Sequence, residues 1–252
     1  MFSTTSDNYE KYKQLIESIE NKYFQIENKN QELLSTKERI TVNYFVVDGE
    51  DERILNTADN AGTLTAEGGV FYLDESQTVS FEAADDYQFY GWECSNTEAL
   101  SLSSKKNLEI SVKVLKGSTS EAAAIKAVVY RRPKVDVAKC LPAIIEGESY
   151  AKDEPIEIAF EHAIENADVL KKISMTYSGD NFRQKDYYTT TLSADRKTVF
   201  ITPIPNKYLA IRKGQNSEEV TVTVPKDVYY YAKDGKTPIT SSKTEHYIHT
   251  FT

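Results

Sequence analysis

Cysteine is scarce in this chain, and the structures that cysteine builds are excluded with it. Cys94 and Cys140 are its two cysteines, and neither stands in a CxxC. A pair is too few for a disulfide framework. They fall in segments read below as different domains, so two free or buried thiols are expected, with a single inter-domain disulfide as the alternative. Histidine is nearly as rare: His162, His246 and His249. The last two lie in an expected terminal strand at an odd separation, which puts them on opposite faces and makes them a poor metal pair. All three read as edge or surface residues. HExxH, GxSxG, Walker A and GxGxxG patterns are absent, and no local motif orients a base toward a Ser or Cys nucleophile. No run approaches the ~20 apolar residues of a membrane helix. Met1–Thr5 has neither a basic n-region nor an apolar h-region, so no signal peptide is read there. The chain then reads as cytoplasmic or as a mature or excised segment. Basic charge is also lacking. The net charge of −9 argues against nucleic acid and against electrostatic attachment to anionic lipid.

What is present is enough to build cores: 252 residues, 40% of them hydrophobic and 27% charged, long enough for one large or two ordinary domains. Asp7 to about Leu34 reads as a helix. Tyr12, Ile16, Ile19, Tyr23, Ile26 and Leu33 recur in alternating steps of four and three, with Asn30 in the gap, over about four heptads. Asp7 and Glu10 have the spacing of a capping box. The stripe fits self-association with Asn30 as a polar register device, or packing on the following domain or on upstream sequence.

From Arg39 the period becomes strand-like. Ile40–Val47, Gly62–Ala66, Val70–Leu73, Thr78–Ala83, Tyr87–Cys94, Asn107–Val114 and Ala123–Arg131 read as a small β unit of about six strands. Its centre is the pair Phe89 and Trp92. They stand three apart, so a regular strand would point them oppositely, and Gly91 between them predicts a bulge that turns both inward. Asp48-Gly49-Glu50-Asp51-Glu52 reads as a solvated acidic turn, with calcium as the lesser alternative because the EF-hand spacing is missing. Arg131-Arg132-Pro133-Lys134 reads as a short stiff linker. A second β unit follows, with strands near Ile156–Phe160, Ile173–Tyr177, Tyr187–Leu192, Thr198–Thr202, Glu219–Val224 and Glu245–Phe251, a helical turn or two within Glu161–Lys172, and turns that include Ser178–Asn181 and Lys233–Lys236. The pattern predicts a Greek-key sandwich of about seven strands.

Two resemblances sit on these residues. Gly62-Thr63-Leu64, Val79–Ala83, the Phe89-x-Gly91-Trp92 core and Ile125–Val129 resemble a divergent internalin-type B repeat. Pro142, Ile156–Phe160, Ser193–Val199 leading to Pro203, Val220–Pro225, Asp234-Gly235 and Tyr247–Thr252 resemble an S-layer-type bacterial Ig-like domain. The tandem is similar to surface lipoproteins of host-associated bacteria such as treponemes. The resemblance implies an exported, non-enzymatic, surface-displayed protein and carries no catalytic or binding residue across.

Seventeen tyrosines are the notable surplus. Tyr229-Tyr230-Tyr231 and Tyr187-Tyr188 each put an aromatic on both faces of a strand, so at least one per run should face solvent. Tyrosine suits protein or glycan recognition, and cross-strand packing is the plainer use. Tyr229, Tyr230 and Tyr231 are therefore the candidate ligand-binding residues. The expected fold is mainly β, with an amphipathic helix over 1–37, a B-repeat-like domain over 38–133 and an Ig-like sandwich over 134–252. Phe81, Phe89, Trp92, Phe160 and Phe251 are its expected core. The expected function is a bacterial cell-surface structural or adhesion module, outside the cell, that binds a host protein or glycan or acts as a spacer, and that self-associates through residues 7–34. It needs no cofactor, metal or catalytic residue. The alternative is a carbohydrate-binding accessory of a larger extracellular protein.

Overall fold

The computed structural model describes residues 4–36, 38–117, 122–142, 149–150, 153–165, 167–177, 180–181, 187–207 and 215–251. The chain is mainly β with an N-terminal helix. Helix α1 (Thr4–Thr36) takes in Asp7, so the expected N-cap position lies within the helix. Residues 8–30 are exposed throughout. The apolar stripe therefore does not lie on the β unit that follows, which removes that reading.

Nine strands come next: β1 (Arg39–Asp48), β2 (Ile54–Leu55), β3 (Gly62–Leu64), β4 (Gly69–Tyr72), β5 (Ser76–Ala83), β6 (Tyr87–Cys94), β7 (Leu100–Leu102), β8 (Glu109–Val114) and β9 (Ala123–Arg131). Strands β2 and β7 lie outside the segments expected, because strands of two and three residues leave little periodicity to read. One sheet runs β2-β1-β9-β6, with β4 also on β1; the other runs β3-β5-β8-β7. The first and last strands of the unit, β1 and β9, pair in parallel, Val42 opposite Ala123 through Asp48 opposite Val129. Alternation sends Ile40, Val42, Val79, Phe81, Ile110, Val112, Ile125, Ala127 and Val129 into one core between the sheets.

Trp92 sits in that core at 2% exposure, its indole Nε1 donating to the Asn107 carbonyl at 2.8 Å. The β6–β9 register slips between Phe89 and Gly91. This one-residue bulge restores both aromatics to the same face: Phe89 is half-buried, 5.8 Å from the Phe81 ring and 5.6 Å from that of Trp92. Gly91 is the residue the bulge can hold, because a Cβ there would lie 2.6 Å from the Lys105 carbonyl oxygen. Tyr90, the residue passed over, projects from the opposite face, where it packs against a separate buried cluster.

The second unit comprises β10 (Ser149–Tyr150), β11 (Ile156–Ala159), helix α2 (Ala167–Lys172), β12 (Ser174–Tyr177), β13 (Asp180–Asn181), β14 (Tyr188–Leu192), β15 (Thr198–Pro203), β16 (Glu218–Val224), β17 (Tyr229–Tyr231), β18 (Pro238–Thr240) and β19 (Glu245–Phe251). Its sheets are β10-β19-β16-β12-β13 and β11-β15-β14. Val135 bridges to Phe160, just past β11, and Leu141 to Glu157 within it, while β10 crosses over to pair in parallel with β19. With the leading segment on β11, the two sheets follow the order of an immunoglobulin-like sandwich. Ile156, Ile158, Phe160, Val199, Ile201, Val220, Val222 and Val224 fill the space between them. Cys140 is buried in this core, Cys94 lies half-buried against the other, and both are free thiols. The Phe251 side chain and residues 178–179 of an expected turn lie outside the described residues.

His249 departs from expectation. It is buried at 3% exposure, opposite Val220 on β16 and on the same face of β19 as buried Tyr247, whereas His246 is exposed with its Nδ1 3.0 Å from Thr223 Oγ1. Burial lowers the His249 pKa to about 4. The unfolded chain then binds the extra proton between about pH 6.5 and 4, so stability falls as pH falls through that window. Acid should therefore weaken the fold by about 2–3 kcal/mol through this group. Denaturant titrations of wild type and His249→Gln at pH 7 and pH 4.5 measure it, and equal acid sensitivity in the two would refute the assignment.

Candidate functional site

The expected ligand-binding run, Tyr229–Tyr231, is the first strand of a hairpin, and the expected turn Lys233–Lys236 lies in its connection. Strands β17 and β18 pair antiparallel, Tyr230 opposite Ile239, as a separate two-stranded sheet formed by the stretch of chain that connects β16 to β19. Asp234 shapes the connection. Its carboxylate accepts from the Lys236 and Thr237 amides at 2.8 Å each and from the Thr237 hydroxyl at 2.6 Å, which hold its pKa well below the usual carboxylate range. Gly235 supplies the left-handed residue, with φ of 65°.

The hairpin reaches across to the first unit. Tyr230, Ala232 and Ile239 form a buried cluster with Val128 and Tyr130 of β9, and Tyr90 packs at its edge. Strand β9 is thus apolar on both faces, which explains why Ala127-Val128-Val129-Tyr130 runs without alternation. The Tyr230 hydroxyl donates to the Arg131 carbonyl at 2.7 Å, and burial holds its pKa well above the usual tyrosine range. The rim is polar. The Gln88 side chain donates to Pro238 O at 2.9 Å and accepts from Thr240 N at 3.1 Å, as a neighbouring strand would. Arg132 donates to Tyr87 O, Gln88 Oε1 and Thr240 O. The expected linker is therefore bound to the hairpin at Arg132, and Arg131 ends β9.

Two other readings need correction at this joint. His162 is not a surface histidine: its ring stacks on Tyr230 at 4.8 Å, and its Nε2 lies 3.4 Å from Glu50 Oε1. The acidic turn is not merely solvated. Asp48 is buried and caps the Glu50 amide at 2.8 Å, and Glu52 meets Lys233 at 3.0 Å. The hydrogen bond from His162 is the main cause that lowers the Glu50 pKa, assisted by Tyr230. Of the three tyrosines, Tyr230 is spent on the joint. Tyr231 is 41% exposed, and Tyr229 is half-buried with its ring 5.5 Å from that of Tyr231. Beside the joint is a cleft of about 480 Å³ walled by charges of both signs, among them Asp85, Asp86, Arg131, Lys134, Glu161 and Lys243. Among the described residues, no group of three or more His, Cys, Asp or Glu is placed to hold a metal, and no helix is long and apolar enough to cross a membrane.

No family model and no curated protein matches the chain. Among solved structures, it is similar to the I-band fragment I67–I69 from titin at 9% identity and TM-score 0.28, over 84% of this chain and 62% of that one. It is also similar to the N-terminal eight Ig domains of Down Syndrome Cell Adhesion Molecule, at 8% identity and TM-score 0.26, over 85% and 24%. A third is protocadherin gamma B7 extracellular cadherin domains 1–4, at 12% identity and TM-score 0.24, over 84% and 49%. At these scores the description of the second unit as immunoglobulin-like rests on its sheet order.

Proposed function

We propose that the chain is a non-enzymatic structural or adhesion module of a bacterial cell surface. Its B-repeat-like domain (38–133) and Ig-like domain (134–252) act as one stiff arm that spaces or presents a binding face to a host macromolecule. The observation that carries this reading is the Tyr230 cluster: two cores joined by a third give an arm that holds its shape, as a spacer or a presenting scaffold requires. Copies associate through residues 7–34. The carbohydrate-binding alternative loses its best platform, because Trp92 is buried and its N–H is occupied. On the hairpin, half-buried Tyr229 and exposed Tyr231 remain as an aromatic pair.

Binding of the purified chain to extracellular-matrix proteins, serum proteins and glycans tests the adhesive form. Saturable binding to one of them, weakened at least about tenfold by Tyr229→Ala with Tyr231→Ala, is the expected result. Binding untouched by that pair of changes would reject the tyrosines as the contact. Absence of binding across the panel would leave the spacer form.

A further inference from the structure

An uncovered apolar stripe runs along α1. Tyr12, Ile16, Ile19, Tyr23 and Ile26 are between 56% and 71% exposed, along a 33-residue helix roughly 50 Å long. A helix of this kind derives most of its stability from covering such a face. Its own β units do not cover it, since residues 8–30 are exposed on every side.

The charges that flank the stripe select the occupant. With Ile16 and Tyr23 at position a of a heptad and Ile19 and Ile26 at d, position e carries Glu20 and Glu27, and position g carries Lys22 and Lys29. Two parallel copies in register bring g of one heptad against e of the next, so Lys22 of each copy meets Glu27 of the other. Antiparallel copies instead bring e against e and g against g, which sets Glu by Glu and Lys by Lys. Asn30 falls at an a position, where a polar side chain meets its own counterpart only in the parallel, in-register pair. Building on the self-association proposed above, we infer that α1 pairs with α1 of a second copy as a parallel, in-register, two-stranded coiled coil. This arrangement places both β arms at the same end of the rod.

Light scattering across a dilution series of the full chain should show twice the 28.6 kDa of one chain at high concentration. In a Cys94→Ala background, Ile16→Cys should cross-link to itself between copies under mild oxidation, because only parallel in-register pairing stacks residue 16 on its counterpart. Lys22→Glu should weaken association about tenfold, and Lys22→Glu with Glu27→Lys should restore it. A monomer at all concentrations would overturn both the pairing and the self-association it builds on, leaving the stripe to another partner. A dimer that does not cross-link through residue 16, or that is indifferent to the charge reversal, would overturn the parallel geometry alone.

Discussion

Trp92→Ala is expected to destabilise the first β unit by about 3–5 kcal/mol, the range for removing a fully buried large aromatic. Three losses combine. The indole is among the largest fully buried side chains, and its removal opens a cavity walled by neighbours fixed in sheet register. The edge-on contact with Phe89 disappears, and with it the reason for the bulge at Gly91. The Asn107 carbonyl also loses the indole N–H as donor. Trp92→Phe keeps most of the volume and loses the hydrogen bond, so it should cost about 1–2 kcal/mol. Urea unfolding followed by circular dichroism measures both variants. Because Trp92 is the sole tryptophan, wild-type fluorescence gives an independent readout: the folded emission should be blue-shifted and should move to the solvent value on unfolding. A solvent-like maximum in the native protein, or an alanine variant within 1 kcal/mol of wild type, would contradict the packing described.

That bulge also marks how far local pattern reaches. Phe89 and Trp92 stand at an odd spacing around a glycine, and a strand cannot bury both without a register slip. The conclusion follows from three residues and the pleat. Val220, Val222 and Val224, or Ile156 and Ile158, are similar cases, because alternation and burial are both local statements. The α1 stripe was visible for the same reason, although its exposure was not, since whether a β unit folds back over a helix depends on contacts far along the chain.

What the sequence hid is non-local. Tyr229-Tyr230-Tyr231 carries an aromatic on both faces and has no polarity by which to choose one. The choice is made by Val128 and Tyr130, some hundred positions earlier. The one readable trace lies on the other partner: the unbroken apolar run Ala127–Tyr130 at the end of β9 is the signature of a strand covered on both sides. Glu50 and His162 are likewise ordinary surface residues by type, and only the folded joint brings them within 3.4 Å. His249 looked exposed because histidine usually is. Its burial follows from parity with Tyr247, whose ring points into the core.

Because the joint depends on one tyrosine at its centre, Tyr230→Ala should have an effect out of proportion to its place on a short hairpin. The ring stacks on His162, packs on the Val128–Tyr130 face and anchors the Arg131 carbonyl. Truncation should cost about 3–4 kcal/mol of coupling between the two units, by analogy with other buried aromatics. The rim bonds of Gln88 and Arg132 are partly solvated and cannot replace it. The two cores would then lose their shared cluster and unfold separately. Calorimetry should resolve two transitions in the variant where wild type shows one cooperative unit. Small-angle scattering should show a broader distribution of interatomic distances, as a stiff arm becomes a hinged one. Tyr230→Phe, which keeps the stack and the packing and gives up the hydroxyl bond, should remain a single unit and lose about 1 kcal/mol. If Tyr230→Ala leaves one transition and an unchanged scattering profile, the hairpin is a passive excursion of the sandwich, and the stiffness on which the proposed surface role depends must reside elsewhere in the joint.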